Sequence, residues 1–179
     1  MSLNAAVAAH EAGHAICGVS VGRRIAEITL DPDDGNLGLC TYDTSVKHSP
    51  IQAMHDLYVA VSLVGGELGE TVAAVAEIEC PTNERGIARR RCVKIAPALG
   101  VEGEWLYRFV LTVARHCLKI NAVQFDRVRC ELERERQISG MRLTQLVTGI
   151  RRVNLTGSLT AHVKAHEPHQ KTLVLSNLS

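Results

Sequence analysis

Apolar residues recur at steps of three and four along most of this chain and alternate in only one short region. Residues 4–18 are rich in Ala and nearly apolar on every side, with Asn4 as a candidate N-cap. The pattern predicts a helix buried in the middle of the domain. Ile28 and Leu30 then alternate with Glu27 and Thr29. A Pro/Asp/Gly cluster at 31–35 separates Ile25–Leu30 from Leu37–Tyr42, which predicts a short hairpin. Ser49-Pro50 opens a second helix, in which Leu57, Val61, Val64, Leu68, Val72 and Val75 keep helical spacing. Gly65-Gly66 interrupts that pattern and marks a kink or a close backbone approach.

Further along, Cys80-Pro81-Thr82-Asn83 stops this helix and caps a third, which runs to about Ala96 before Pro97 and Gly100. Leu106, Val110, Val113, Cys117 and Ile120 make a fourth helix. Phe125, Val128 and Leu132 make a fifth, and Leu143 to Ile150 a short sixth after the Ser139-Gly140 break. Periodicity weakens over the last 29 residues, read as a tail with a late apolar patch at Leu173-Val-Leu. The expected fold class is mainly α (α+β), with one small β-hairpin or sheet near the N-terminus. The expected organisation is one domain over 1–150 and a tail over 151–179. The absence of strands alternating with helices argues against a doubly wound α/β fold.

The chain's 179 residues suffice for a core without disulfides or a structural metal. No apolar run approaches the roughly 20 residues that span a bilayer, and Met-Ser-Leu-Asn lacks the basic start of a signal peptide. The six cysteines have no CxxC spacing and read as buried thiols in a reducing cytoplasm. Residues 1–80 hold 3 Lys/Arg against 11 Asp/Glu, whereas residues 81–179 hold 17 against 8. The simplest consequence is that the two halves neutralise each other. A nucleic-acid partner for the basic half has no motif to support it, and with 3% aromatics base stacking has little to work with.

The chemistry lies in the first helix. His10-Glu11-Ala12-Gly13-His14 is an HExxH motif. Positions i and i+4 share one helical face, so both imidazoles can reach one metal ion, and Glu11 can act on a metal-bound water. About one random chain in 40 of this composition would contain the motif. However, two His and a Glu on an apolar helix are costly to bury without a partner. A catalytic zinc site needs a third ligand, and no His stands where the HExxHxxGxxH pattern requires one. The acidic candidates are Glu67, Glu70, Glu77, Glu79 and Glu84. Glu84 stands out because it lies in the first turn of a helix, a fixed place. Gly13 costs helix stability relative to Ala and predicts that another backbone passes close by. The Leu37–Tyr42 strand is a candidate edge for holding an extended substrate.

Ala9-His-Glu-Ala-Gly-His-Ala15 resembles the peptidase domain of the FtsH-type AAA+ zinc proteases. Ile25–Tyr42 is similar to that family's strand, turn and strand after the motif helix. Leu63-Val-Gly-Gly-Glu-Leu-Gly-Glu70 resembles its small-residue segment ending in Glu, and Thr82-Asn83-Glu84 resembles its Ser-Asn-Asp stretch. Leu118–Leu146 is similar to its C-terminal helices, so the likeness covers about residues 5–149. The resemblance implies a helical metallopeptidase domain that binds Zn2+ through His10, His14 and an acid at position 84. It also implies Glu11 as the catalytic base and Glu70 orienting a ligand from behind. The family's acid is Asp, and Glu84 is one methylene longer.

No GxxxxGK[ST] loop is present, so ATP-driven unfolding would need a separate ATPase partner. The family's rings make a homo-oligomer an expectation. The expected function is zinc-dependent endopeptidase action on unfolded or flexible polypeptides, in the cytoplasm and without a membrane or nucleic acid as partner. The alternative is a catalytically degenerate peptidase fold that serves as a binding or assembly module, favoured by the Asp-to-Glu exchange.

Overall fold

The computed structural model describes residues 3–31, 38–43, 52–74 and 83–166. Among these residues, seven α-helices and three strands follow one another: α1 (Leu3–Ser20), β1 (Ile25–Thr29), β2 (Leu39–Tyr42), α2 (Gln52–Val72), α3 (Glu84–Ile95), α4 (Gly103–Ile120), α5 (Ala122–Glu135), β3 (Gln137–Ser139), α6 (Gly140–Val147) and α7 (Leu155–His166). The fold is mainly helical, with a small antiparallel sheet. Among the described residues, no helix is long and apolar enough to cross a membrane. The expected hairpin turn, the Ser49-Pro50 start and the Cys80-Pro81-Thr82 stop lie outside the described residues.

Helix α1 is buried from Ala5 to Ser20, as a helix apolar all round must be. It packs against α2, α4, α5 and the sheet. Its Ala and Gly side chains let α2 approach to backbone distance. A Cβ at Gly13 would lie 2.1 Å from the Gly65 carbonyl oxygen, and one at Gly69 would lie 2.4 Å from that of Ala9. Of the two meanings open for Gly65-Gly66, close approach is therefore the one found.

The sheet has the order β2-β1-β3, antiparallel throughout. Ile28 at its centre pairs with Cys40 on one side and Ile138 on the other, and is fully buried. The expected hairpin is thus a three-stranded sheet. β3 occupies the Ser139-Gly140 break, where three residues are too few to show alternation. Among the described residues, β2 is an edge strand.

Helix α3 ends in a 3-10 turn, Ala96–Leu99, closed by Gly100 in the left-handed region. Asn121, fully buried between α4 and α5, donates to Ser20 Oγ (3.0 Å) and accepts from the Arg151 backbone N–H (2.7 Å). That clamp fixes the segment leading into α7, whose Leu155, Leu159 and Val163 are buried in the common core. The described part of the C-terminal stretch is therefore a packed helix, continuous with the 1–150 core.

Candidate metal centre

His10, Glu11 and His14 are 2%, 5% and 7% exposed, all in the apolar middle of α1. The two imidazoles meet edge to face, with ring centroids 4.6 Å apart. Room for them comes from α2, where a Cβ at Gly66 would strike His10 Nε2 at 2.6 Å and His14 Cε1 at 2.7 Å.

Each ring is oriented from behind. His10 Nδ1 donates to the Glu70 carboxylate on α2, and His14 Nδ1 donates to the Ser62 carbonyl at 2.8 Å. A carbonyl can only accept, so His14 carries its proton on Nδ1 and presents Nε2 as a lone pair. Metal-bound imidazoles are usually fixed in this way. The Glu70 carboxylate is thus the partner of His10 Nδ1. The Ser62 carbonyl was not foreseen, because a backbone acceptor has no residue signature.

Glu84 opens α3 and brings Oε2 to 3.0 Å from His10 Nε2 and 3.1 Å from His14 Nε2. The three donor atoms lie within 4.8 Å of one another. The extra methylene does not keep the carboxylate from both rings. Helix α3 is tied to α2 by Arg85 with Glu67 and by Arg91 Nη1 with Asp56 Oδ1 (3.0 Å). Glu67, one of the acids considered as a ligand, serves that brace. Glu77 and Glu79 lie outside the described residues.

The donor set fits a zinc ion. Tetrahedral ligands about 2.0–2.1 Å from zinc lie roughly 3.3 Å from each other, close to the spacing of Glu84 from each imidazole. Glu84 Oε2 is buried and receives no conventional hydrogen bond, as is Glu11 Oε2. Buried carboxylate oxygens that converge with two imidazole nitrogens suit a bound cation. Without one, protons occupy the cluster. Burial alone would push His10 down, but the Glu70, Glu84 and Glu11 carboxylates outweigh it and hold the imidazole at about 10. His14 is raised likewise, with Glu84 overcoming its burial. Burial pushes Glu84 up, but His10 and His14 bring it down to about 2.

Glu11 lies between the ligand cluster and the sheet. A Cβ at Gly38, which leads into β2, would lie 2.9 Å from Glu11 Oε1. Burial pushes the Glu11 carboxyl above its ordinary value against the pull of His14 and His10. Tyr42, at the other end of β2, donates its hydroxyl to the His14 carbonyl at 2.7 Å. β2 therefore runs alongside the motif helix, with Glu11 near its start and His14 near its end. No protein-family model matches the chain, and no curated protein matches it.

Proposed function

We propose that this chain is a zinc-dependent endopeptidase acting on unfolded or flexible polypeptides, similar to the peptidase domain of the FtsH-type proteases. The observation that carries this reading is the convergence of His10 Nε2, His14 Nε2 and Glu84 Oε2 beside a buried, partnerless Glu11 oxygen.

His10, His14 and Glu84 would hold the ion, a two-His, one-carboxylate set of the hydrolytic type. Zinc bound there would supply an acidified water and an electrophile for the peptide carbonyl. Glu11 accepts the water's proton and returns it to the leaving amine, and its raised affinity for protons suits both halves of that task. Glu70 and the Ser62 carbonyl keep both rings aimed. The edge of β2 offers backbone N–H and C=O groups to an extended substrate, which favours unfolded chains over folded ones. Substrate delivery by a separate ATPase, assembly into a homo-oligomer and a reducing cytoplasmic setting belong to the same reading. The last is supported by free thiols at Cys17, Cys40, Cys92, Cys117 and Cys130.

The test joins metal content to turnover. Protein purified without chelator should carry about one zinc per chain and cleave an unfolded protein such as reduced casein. Glu11→Gln should keep the zinc and lose about 10²–10⁴-fold in rate. Zinc retained with no cleavage by either protein would favour the binding-module alternative. Absence of both zinc and cleavage would remove the metallopeptidase reading.

A further inference from the structure

The elements that carry the three ligands continue toward a second, cationic end. Helices α1 and α2 run antiparallel: Ala9 meets Gly69, Gly13 meets Gly65, and His14 reaches Ser62. β2 follows α1, from Gly38 beside Val7 and Glu11 to Tyr42 beside Gly18. On α3, Glu84, Ala88 and Arg91 recur at helical spacing on the more buried side. Arg85 meets Glu67 and Arg91 meets Asp56. All four elements therefore run from the ligand cluster toward one end, which carries Arg23 on the Tyr42 ring and Arg91 on Asp56.

Arg23 is the anomaly there. Its guanidinium carbon lies 3.4 Å above the centroid of the Tyr42 ring, and no carboxylate is paired with it among the described residues. Its Nε is buried without an acceptor, and so is Nε of Arg91. Burial makes the Arg23 charge less favourable, and the positive charge of Arg91 adds to this. Asp56 balances Arg91 alone. A half-buried guanidinium held on an aromatic face, with an unused inward N–H and a second arginine nearby, is arranged for an anion that is not part of the chain.

We propose that Arg23 and Arg91 form a specificity site for a carboxylate of the polypeptide substrate, at the end of β2 and α3 away from Glu84. The place of this site along a bound peptide rests on the reading given above. Seven residues of α3 separate Glu84 from Arg91, a rise of about 10 Å. An extended peptide covers that distance in about three residues. The recognised group is thus an acidic side chain, or the free C-terminus, about three residues from the cleaved bond. Tyr42 links the two ends, since it supports Arg23 with its ring and bonds the backbone of His14 with its hydroxyl.

Binding can be measured apart from turnover with the zinc-loaded Glu11→Gln variant. The probes are three N-acetylated, fluorescently labelled twelve-residue peptides of Ala, Val and Thr. One carries a single Glu and a C-terminal amide, one carries Gln and an amide, and one carries Gln and a free C-terminal carboxylate. Either carboxylate peptide should bind about tenfold tighter than the Gln amide, as expected for a charge-assisted bidentate contact. The tighter of the two identifies the source of the carboxylate. In Arg23→Gln, and separately in Arg91→Gln, that advantage should vanish while affinity for the Gln amide stays unchanged. Equal affinity for all three peptides, no binding of any, or an advantage that survives both arginine substitutions would overturn the proposal. Cleavage by the unsubstituted protein is scored separately. Carboxylate-selective binding without cleavage keeps this site and removes the peptidase reading, whereas cleavage without selectivity does the reverse.

Discussion

Helices α1 and α4 are both 18 residues long and both lie against the core, yet they use their polar residues in opposite ways. In α4 the apolar residues Leu106, Phe109, Val110, Val113, Ala114, Cys117 and Leu118 form one buried stripe, and Arg115 and Lys119 stand in solvent. Its polar residues keep the helix wet on one side and carry no chemistry. Helix α1 has no wet side over Ala5–Ser20, so His10, Glu11 and His14 sit where charge is costly. The contrast shows where to look for function: an ionisable group on an amphipathic helix is ordinary, whereas three of them on a helix buried all round require partners.

The comparison can be broken most forcefully at the crossing of α1 and α2. Gly13→Ala places a methyl 2.1 Å from the Gly65 carbonyl oxygen, a backbone atom that cannot swing aside. The expected loss is about 3 kcal/mol or more, read by urea unfolding. A loss below about 0.5 kcal/mol would mean that the two helices are less tightly seated. Next in size is Glu70→Gln, which leaves the three ligands in place and weakens only the support behind His10. Zinc affinity should fall about 10–100-fold, as measured by competition with a chromophoric chelator. An unchanged affinity would reduce Glu70 to a core charge partner.

A third effect depends on pH. In the metal-free protein His10 is raised from 6.5 to about 10, and His14 and Glu11 are raised as well. A raised group contributes stability that is complete below its ordinary value and is lost as pH climbs through its folded value. All three shifts act in one direction; the Glu11 contribution starts to fall above pH 4.5, and that of His10 should lower the melting temperature of the metal-free protein between about pH 6.5 and 10. Zinc replaces those protons, and its stabilising effect should grow over the same interval. Melting curves with and without added zinc provide the check, and a zinc effect that shrinks with rising pH would contradict the assignment of ligands. The smallest effect belongs to α4: Arg115→Ala should change stability by no more than about 0.5 kcal/mol and leave zinc content untouched.

Much of the centre was legible because it obeys local rules. The i, i+4 spacing brought His10 and His14 together, and the helix start marked Glu84. The parts played by Glu67 and Glu70 could not be separated by local spacing, because which one reaches the rings depends on how α2 and α3 dock on α1. Glu67 goes to Arg85, Glu70 to the back of His10, and Glu84 to the front. The Ser62 carbonyl was invisible for want of a side-chain signature, and β3 for want of length. Leu155, Leu159 and Val163 do recur at steps of four, but Thr156, Gly157, Ser158 and Thr160 between them are weak helix formers, so packing rather than propensity defines α7.

The separation of Glu84 from His14 along the chain has a consequence for biosynthesis. A nascent polypeptide that has emerged only as far as residue 70 already displays both imidazoles and the acid behind His10, but nothing to close the grip. Tight capture of the ion must therefore wait until about 70 further residues beyond His14 have left the ribosome and the third donor has docked. On the proposed peptidase reading, the order of synthesis would keep the chain from acting as a hydrolase while its own backbone is still unfolded and exposed to cutting.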